Sequence, residues 1–156
     1  MQQNSIYNQS TGYPTPNNCK YLSMNKSRYL YLNSRDEFFR VDITKIAYFE
    51  SDGNYTTIFL TNKMKATIGM NLANMQDIIT TRLRDEAKIF ARVGKRHIIN
   101  LNYVFQIAVL RQRLVISDGA TFEYPVSVSK DALKKLRDLF ISGTTLNRLT
   151  TSGQSV

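Results

Sequence analysis

His97 and Cys19 are the residues best suited to hold a metal or carry a reaction, and each occurs once in the chain. No spacing joins them to carboxylates as a recognisable ligand set. A lone histidine between Arg96 and Ile98, in an apolar run, reads as a packing residue. Glu50, Asp52, Asp85 and Glu86 are candidates for acid–base work. Their positions do not make a converging pair, so they read as solvated surface acids. The sequence has no nucleophile–base arrangement and no Gly-rich phosphate loop, and Asp52-Gly53-Asn54 reads as a turn. The expectation is therefore a protein that is not an enzyme and holds no cofactor, metal or small-molecule substrate.

The remaining polar chemistry is cationic. The chain of 156 residues carries 21 Lys and Arg against 12 Asp and Glu, a formal net charge of +9. Such an excess creates a long-range positive field whose natural partners are polyanions: DNA, RNA or an acidic membrane surface. Arg92, Lys95 and Arg96 fall in one short stretch, and Ser129 and Lys130 precede a helical segment. Asn54 and Tyr55 follow a compact loop. Lys and Arg neutralise phosphates, and amides on loops read base edges. A helix N-terminus with free N–H groups, as at Ser129, favours a phosphate, and Ser129 also suits a plain N-cap. Lys95 and Arg96 point to opposite faces if their stretch is extended, so one is expected at a base and the other on the backbone or an acid.

These residues need a framework, and the hydrophobic pattern supplies one. Residues 1–26 are rich in Gln, Asn, Ser and Thr and read as a polar tail. Tyr29 to Leu32 and Phe38 to Val41 are β-prone runs joined by the turn Asn33-Ser34-Arg35-Asp36. Ile43 and Ile46 to Phe49 form another run, and Tyr55 to Leu60 and Met64 to Ile68 form a hairpin. Gly69 and Asn71 mark a helix start, with Leu72, Met75, Ile79 and Leu83 at helical spacing. A second β-rich half runs through Ile89 to Ala91, Ile98 and Ile99, Val104 to Leu110, Leu114 to Ile116, and Phe122 to Tyr124. Pro125 limits the last of these to an edge or an end. Ser129 caps a final helix bearing Leu133, Leu136, Leu139 and Phe140, closed by Gly143. One domain over 27–142 is expected, with tails at 1–26 and 143–156. With one cysteine, no signal peptide and no apolar run that could span a bilayer, a cytoplasmic location without membrane contact is favoured.

Three segments in this order resemble the LytTR DNA-binding domain family of bacterial regulators. Lys45-Ile46-Ala47-Tyr48-Phe49-Glu50-Ser51-Asp52-Gly53-Asn54-Tyr55 is similar to the family's strand ending in Glu, followed by a polar loop and an aromatic. Phe90-Ala91-Arg92-Val93-Gly94-Lys95-Arg96-His97-Ile98-Ile99-Asn100 resembles its Phe-x-Arg-x-His-x-Ser-aromatic-x-Val-Asn core. Tyr124-Pro125-Val126-Ser127 resembles its strand ending in Val-Ser, ahead of a helix. The likeness runs from Arg28 to about Ile141. It implies a mostly β, α+β fold: an elongated stack of small antiparallel sheets with short helices at the sides. It also implies sequence-specific binding of double-stranded DNA by a transcriptional regulator that inserts loops into successive major grooves, at sites that are paired direct repeats. Pairing as a homodimer on DNA is compatible with such sites.

By family position, Lys95 is a base or phosphate contact, Arg92 supports the loop or contacts DNA, and Asn100 fixes a turn. Two departures bear on base preference. Gly94 and Arg96 stand where the family has His and Ser, and Val128 stands where a basic residue often follows Val-Ser, leaving Lys130 as the nearest cation. The expected form is a stand-alone one without a receiver domain. Two other readings fit the charge: an RNA or single-strand binding module, which needs exposed stacking aromatics, and a protein-interaction domain.

Overall fold

The computed structural model describes residues 28–143. The polar stretch 1–26 and the segment after Gly143 lie outside the described residues. Strands β1 (Tyr29–Asn33) and β2 (Phe38–Asp42) form an antiparallel hairpin in which Leu30 faces Val41. Ser34 closes the turn: its N–H donates to the Glu37 carbonyl at 2.8 Å, and its hydroxyl accepts from the Glu37 N–H at 3.2 Å.

The central layer is a five-stranded antiparallel sheet. Its strands are β3 (Ile46–Asp52), β4 (Tyr55–Leu60), β5 (Lys65–Ile68), β6 (Phe90–Val93) and β7 (His97–Asn100), in the order β5-β4-β3-β7-β6. Helix α1 (Leu72–Leu83) joins β5 to β6. A second, three-stranded sheet follows, with β8 (Val104–Ala108), β9 (Arg113–Ser117) and β10 (Glu123–Ser127) in the order β10-β9-β8. Helix α2 (Lys130–Gly143) ends the described chain.

Apolar side chains on both faces of β3 and β7 explain why the β1–β2 hairpin, the second sheet and the helices pack where they do. Ile46, Phe49 and Ile98 enter one core with Leu30, Val41 and the α1 residues Leu72, Met75, Ile79 and Leu83. Ala47, Tyr48 and Ile99 enter a second core with Leu114, Ile116, Val126 and the α2 residues Leu133 and Leu136. A strand buried on both faces reads as a continuous apolar run rather than an alternating one, as Ile46 to Phe49 does. The register slips between Ile46 and Tyr48, and this bulge lets the successive residues Ala47 and Tyr48 both reach the second core. The result is the expected mostly β stack of small antiparallel sheets with helices at the sides.

Local signals set the boundaries. Asn71 caps α1, its side-chain oxygen accepting from the Asn74 N–H at 2.8 Å. Ser129 does the same for α2, accepting from the Ala132 N–H at 3.3 Å. Pro125 lies on β10, an edge strand, where a missing N–H is tolerated. Two details differ from the expected pattern. Ile43 belongs to a 3-10 turn, Ile43–Lys45, capped by Asp42. The strand expected over Val104 to Leu110 stops at Ala108, because residues 109–112 turn: the Gln112 N–H donates to the Val109 carbonyl at 3.0 Å with Gln112 at φ 52°.

Asn100 ties the two halves together from a buried position. Its side-chain NH2 donates to the Ile46 carbonyl at 2.8 Å, and its oxygen accepts from the Asn102 N–H at 3.0 Å. Asn100→Ala leaves both backbone groups without these partners, and denaturant unfolding should show a loss of about 1–3 kcal/mol at unchanged m-value. A fragment of residues 27–142 should unfold in a single cooperative transition with the stability of the whole chain, because both described cores lie within it. Separate transitions by circular dichroism would show the domain to be wrongly bounded.

Candidate nucleic-acid interface

The antiparallel pairing of β3 with β7 sets Glu50 opposite His97. The Ser51 N–H then donates to the Arg96 carbonyl at 2.8 Å. Two turns are thereby held side by side at one end of the central sheet: Asp52 to Tyr55, and Gly94 to Arg96. Gly94 has φ +67°, a backbone conformation that a residue with a Cβ rarely adopts. The space there is ordinary, since a Cβ would meet only Ala132 at 3.7 Å, so conformation rather than crowding asks for glycine. The first turn of α2 thus lies against the second turn, and a cleft of about 290 Å³ lined by Lys95, Arg96, Ser127 and Ser129 separates them. The Val128 N–H donates to the Gln112 carbonyl at 3.1 Å, which brings the β8–β9 turn to the same loop.

The candidate residues divide into those that point outward and those that brace the turns. Asn54 and Lys95 are exposed at the tips of their turns. Tyr55 is 59% exposed, so packing does not consume its ring. Lys130 is exposed at the start of α2, beside the Ser129 cap. Arg92 works beneath its turn: one guanidinium nitrogen donates to Gln76 at 2.9 Å and another to the Lys95 carbonyl at 3.1 Å. Arg96 turns back onto β3, donating through Nε to the Ser51 carbonyl at 3.1 Å, with a terminal nitrogen 3.8 Å from Glu50. The two neighbours thus diverge, Lys95 to solvent and Arg96 to a carbonyl and an acid.

His97 is buried, with Nε2 3.3 Å from Glu50 Oε2. Burial pushes its imidazole below the usual histidine range, outweighing the opposing pull of Glu50. A neutral ring donating from Nε2 to the carboxylate fits both facts. Among the described residues no group of three or more His, Cys, Asp or Glu could hold a metal ion, and no helix is long and apolar enough to cross a membrane.

The β8–β9 turn adds residues absent from the expected set. Arg111, Gln112 and Arg113 are exposed there, and Arg113 lies 3.9 Å from Glu123. Two arginines around a glutamine between apolar runs were a visible signal, but extending the preceding strand through Leu110 obscured the turn.

Taken together, one end of the molecule presents an amide at Asn54, ammonium groups at Lys95 and Lys130 and a guanidinium at Arg111. Such groups bond to base edges and neutralise phosphates. The aromatics are differently disposed. Tyr48, Phe59 and Tyr124 pack on one another, Tyr48 on Phe59 at 4.4 Å, and the exposed Phe38, Tyr55 and Phe105 sit on separate elements. That is no continuous stacking platform.

Comparison with known proteins agrees with this geometry. The sequence model of the LytTr DNA-binding domain matches residues 36–141. Two heme-containing CO-sensing transcriptional regulators of Paraburkholderia xenovorans (strain LB400), RcoM 2 and RcoM 1, are 32% and 33% identical over 99 residues. That stretch is 62% of this chain and 34% of each relative, so the chain spans about a third of their length. The solved LytTr DNA-binding domain of a methyl-accepting/DNA response regulator from Bacillus cereus superposes with a TM-score of 0.52 at 19% identity, over 73% of this chain and 97% of that one.

The state of His97 makes a stability prediction. Its folded pKa is depressed, so the unfolded chain binds the proton more readily. The contribution to stability is full above the ordinary imidazole value of about 6.5 and is lost as pH falls from there toward the depressed value. His97→Gln keeps a donor for Glu50 but cannot titrate. Thermal melts between about pH 5 and 7.5 should therefore show a shallower loss of stability toward acid for His97→Gln than for the wild type. Parallel curves would mean that His97 does not titrate in this window.

Proposed function

The chain belongs to the LytTR family of DNA-binding domains, and on that premise we propose that it is a transcriptional regulator recognising specific duplex sites through loops inserted into successive major grooves. The observation that carries this reading is the gathering of the β3–β4 turn, the β6–β7 turn and the β10–α2 loop at one cationic end of the fold. In this reading Asn54 reads a base edge, with Tyr55 beside it on a thymine methyl or a phosphate. Lys95 contacts a base or phosphate in the next groove. Ser129 and Lys130 hold a phosphate at the start of α2. Arg92 and Arg96 act from beneath the turn that carries Lys95, supported by their bonds to Gln76, the Lys95 carbonyl and Ser51. The sites are paired direct repeats, occupied by two copies of the chain. The unit that binds is the domain of residues 27–142, and it performs no catalysis and needs no small-molecule substrate.

Phosphate contacts position the protein while base contacts specify the site, and the two respond differently to salt and to sequence. Binding titrations on a selected duplex and its single-base variants, at two salt concentrations, test the assignment. Wild-type affinity should fall steeply with salt, and single-stranded DNA and RNA should compete poorly. Asn54→Ala should relax preference at one base position at a cost of about 1–3 kcal/mol. Lys95→Ala, if its contact is to phosphate, should weaken all duplexes alike and reduce the salt slope by about one unit. Lys134 is exposed on α2, and Lys134→Ala should change little. If Asn54→Ala leaves affinity and base ranking untouched while Lys134→Ala impairs binding, α2 rather than the turns faces DNA.

A further inference from the structure

Glu50 reads from the sequence as a solvated acid, yet it stands at the base of the two adjacent turns and holds a cation there. Its Oε2 lies 3.8 Å from an Arg96 guanidinium nitrogen and 3.3 Å from His97 Nε2. With His97 neutral, Arg96 is the cation that this carboxylate holds. The Ser51 carbonyl holds the same guanidinium through Nε at 3.1 Å, so two acceptors on β3 draw Arg96 inward while Lys95 next to it stays free. The pair is not sealed: the side chains are 61% and 35% exposed, within reach of an approaching polyanion. A DNA phosphate has to compete with Glu50 for that guanidinium. Sequence-independent affinity comes from phosphate neutralisation, whereas discrimination comes from base edges. An acid that occupies one cation therefore lowers binding to every duplex, and lowers it most where base contacts add nothing.

We propose that Glu50 is a specificity-determining residue that withholds Arg96 from the phosphate backbone and so suppresses sequence-independent DNA binding. This rests on the DNA-binding reading above and adds to it a role for an acid within a cationic surface.

Glu50→Gln removes the charge and keeps an oxygen that can accept from His97. In the full-length chain, affinity for an unrelated duplex should rise several-fold at low salt. The slope of log affinity against log salt should steepen by about one unit, as for one added phosphate contact. Affinity for the selected site should rise less, so the ratio of specific to unrelated binding falls. Arg96→Ala alone should leave the slope nearly unchanged, and Glu50→Gln with Arg96→Ala should return it to the wild-type value, a cycle that isolates the coupling. Arg96→Lys, which cannot donate to Ser51 and reach Glu50 as a planar fork, gives a second route and should shift the slope in the same direction. Asp52→Asn, which removes a neighbouring exposed acid, should not reproduce the effect. An unchanged slope in both Glu50→Gln and Arg96→Lys overturns the proposal. So does a gain that persists without Arg96 or is matched by Asp52→Asn, since that is general charge removal. A wild-type chain with no salt-dependent duplex binding would instead overturn the DNA-binding reading itself, before any substitution is made.

Discussion

Pairing of Ile46–Asp52 with His97–Asn100 buries both faces of two adjacent strands, and the remaining elements are arranged around that fact. Each fully buried apolar side chain of the size of Ile or Phe contributes about 1.5–3 kcal/mol relative to exposure. Ile46, Phe49, Ile98 and Ile99 are all buried, and no single covering layer could shield them, because they project in opposite directions. The β1–β2 hairpin and α1 cover one side, and the second sheet and α2 cover the other. A stack rather than a sandwich follows from apolar residues on both faces of the same strands.

The same pairing fixes the functional end. Antiparallel register puts the end of β3 beside the beginning of β7, so the turns at those ends are neighbours of necessity. Backbone hydrogen bonds carry the placement, from Ser51 to Arg96 and from Val128 to Gln112. Loop tips rest on buried strand ends rather than on one another. A substitution at an exposed tip such as Asn54 or Lys95 therefore leaves both cores intact. Base preference and fold are thus separable here.

Charge within that end is not uniform. Arg92 and Arg96 are engaged by the protein, whereas Lys95 and Lys130 are not seen in ion pairs among the described residues. Spending guanidinium groups beneath a turn stiffens it, since a planar fork can satisfy two acceptors at once. Lysine at the tip offers a single point charge on a flexible stem, suited to a phosphate whose position shifts with DNA shape. The net charge of +9 overstates what the interface presents for this reason.

Most of the framework was legible in the residues themselves. The runs Tyr29 to Leu32, Tyr55 to Leu60 and Leu72 to Leu83, the cap at Asn71 and the edge position of Pro125 are local patterns, and local propensity and periodicity determined them. The order of three motifs around a helix was enough to point to the family. The β8–β9 turn escaped because an apolar run does not mark its own end, and Gln112 at φ 52° carries no glycine to announce it. Which of Arg92, Lys95 and Arg96 faces solvent was beyond the sequence. Three cations within five residues have the same local propensity whichever way they point. The choice depends on Gln76, Glu50 and Ser51, which lie 16 to about 46 positions away and meet them only when the sheet closes. Sequence determined which groups were available for recognition; long-range register decided which of them remained free.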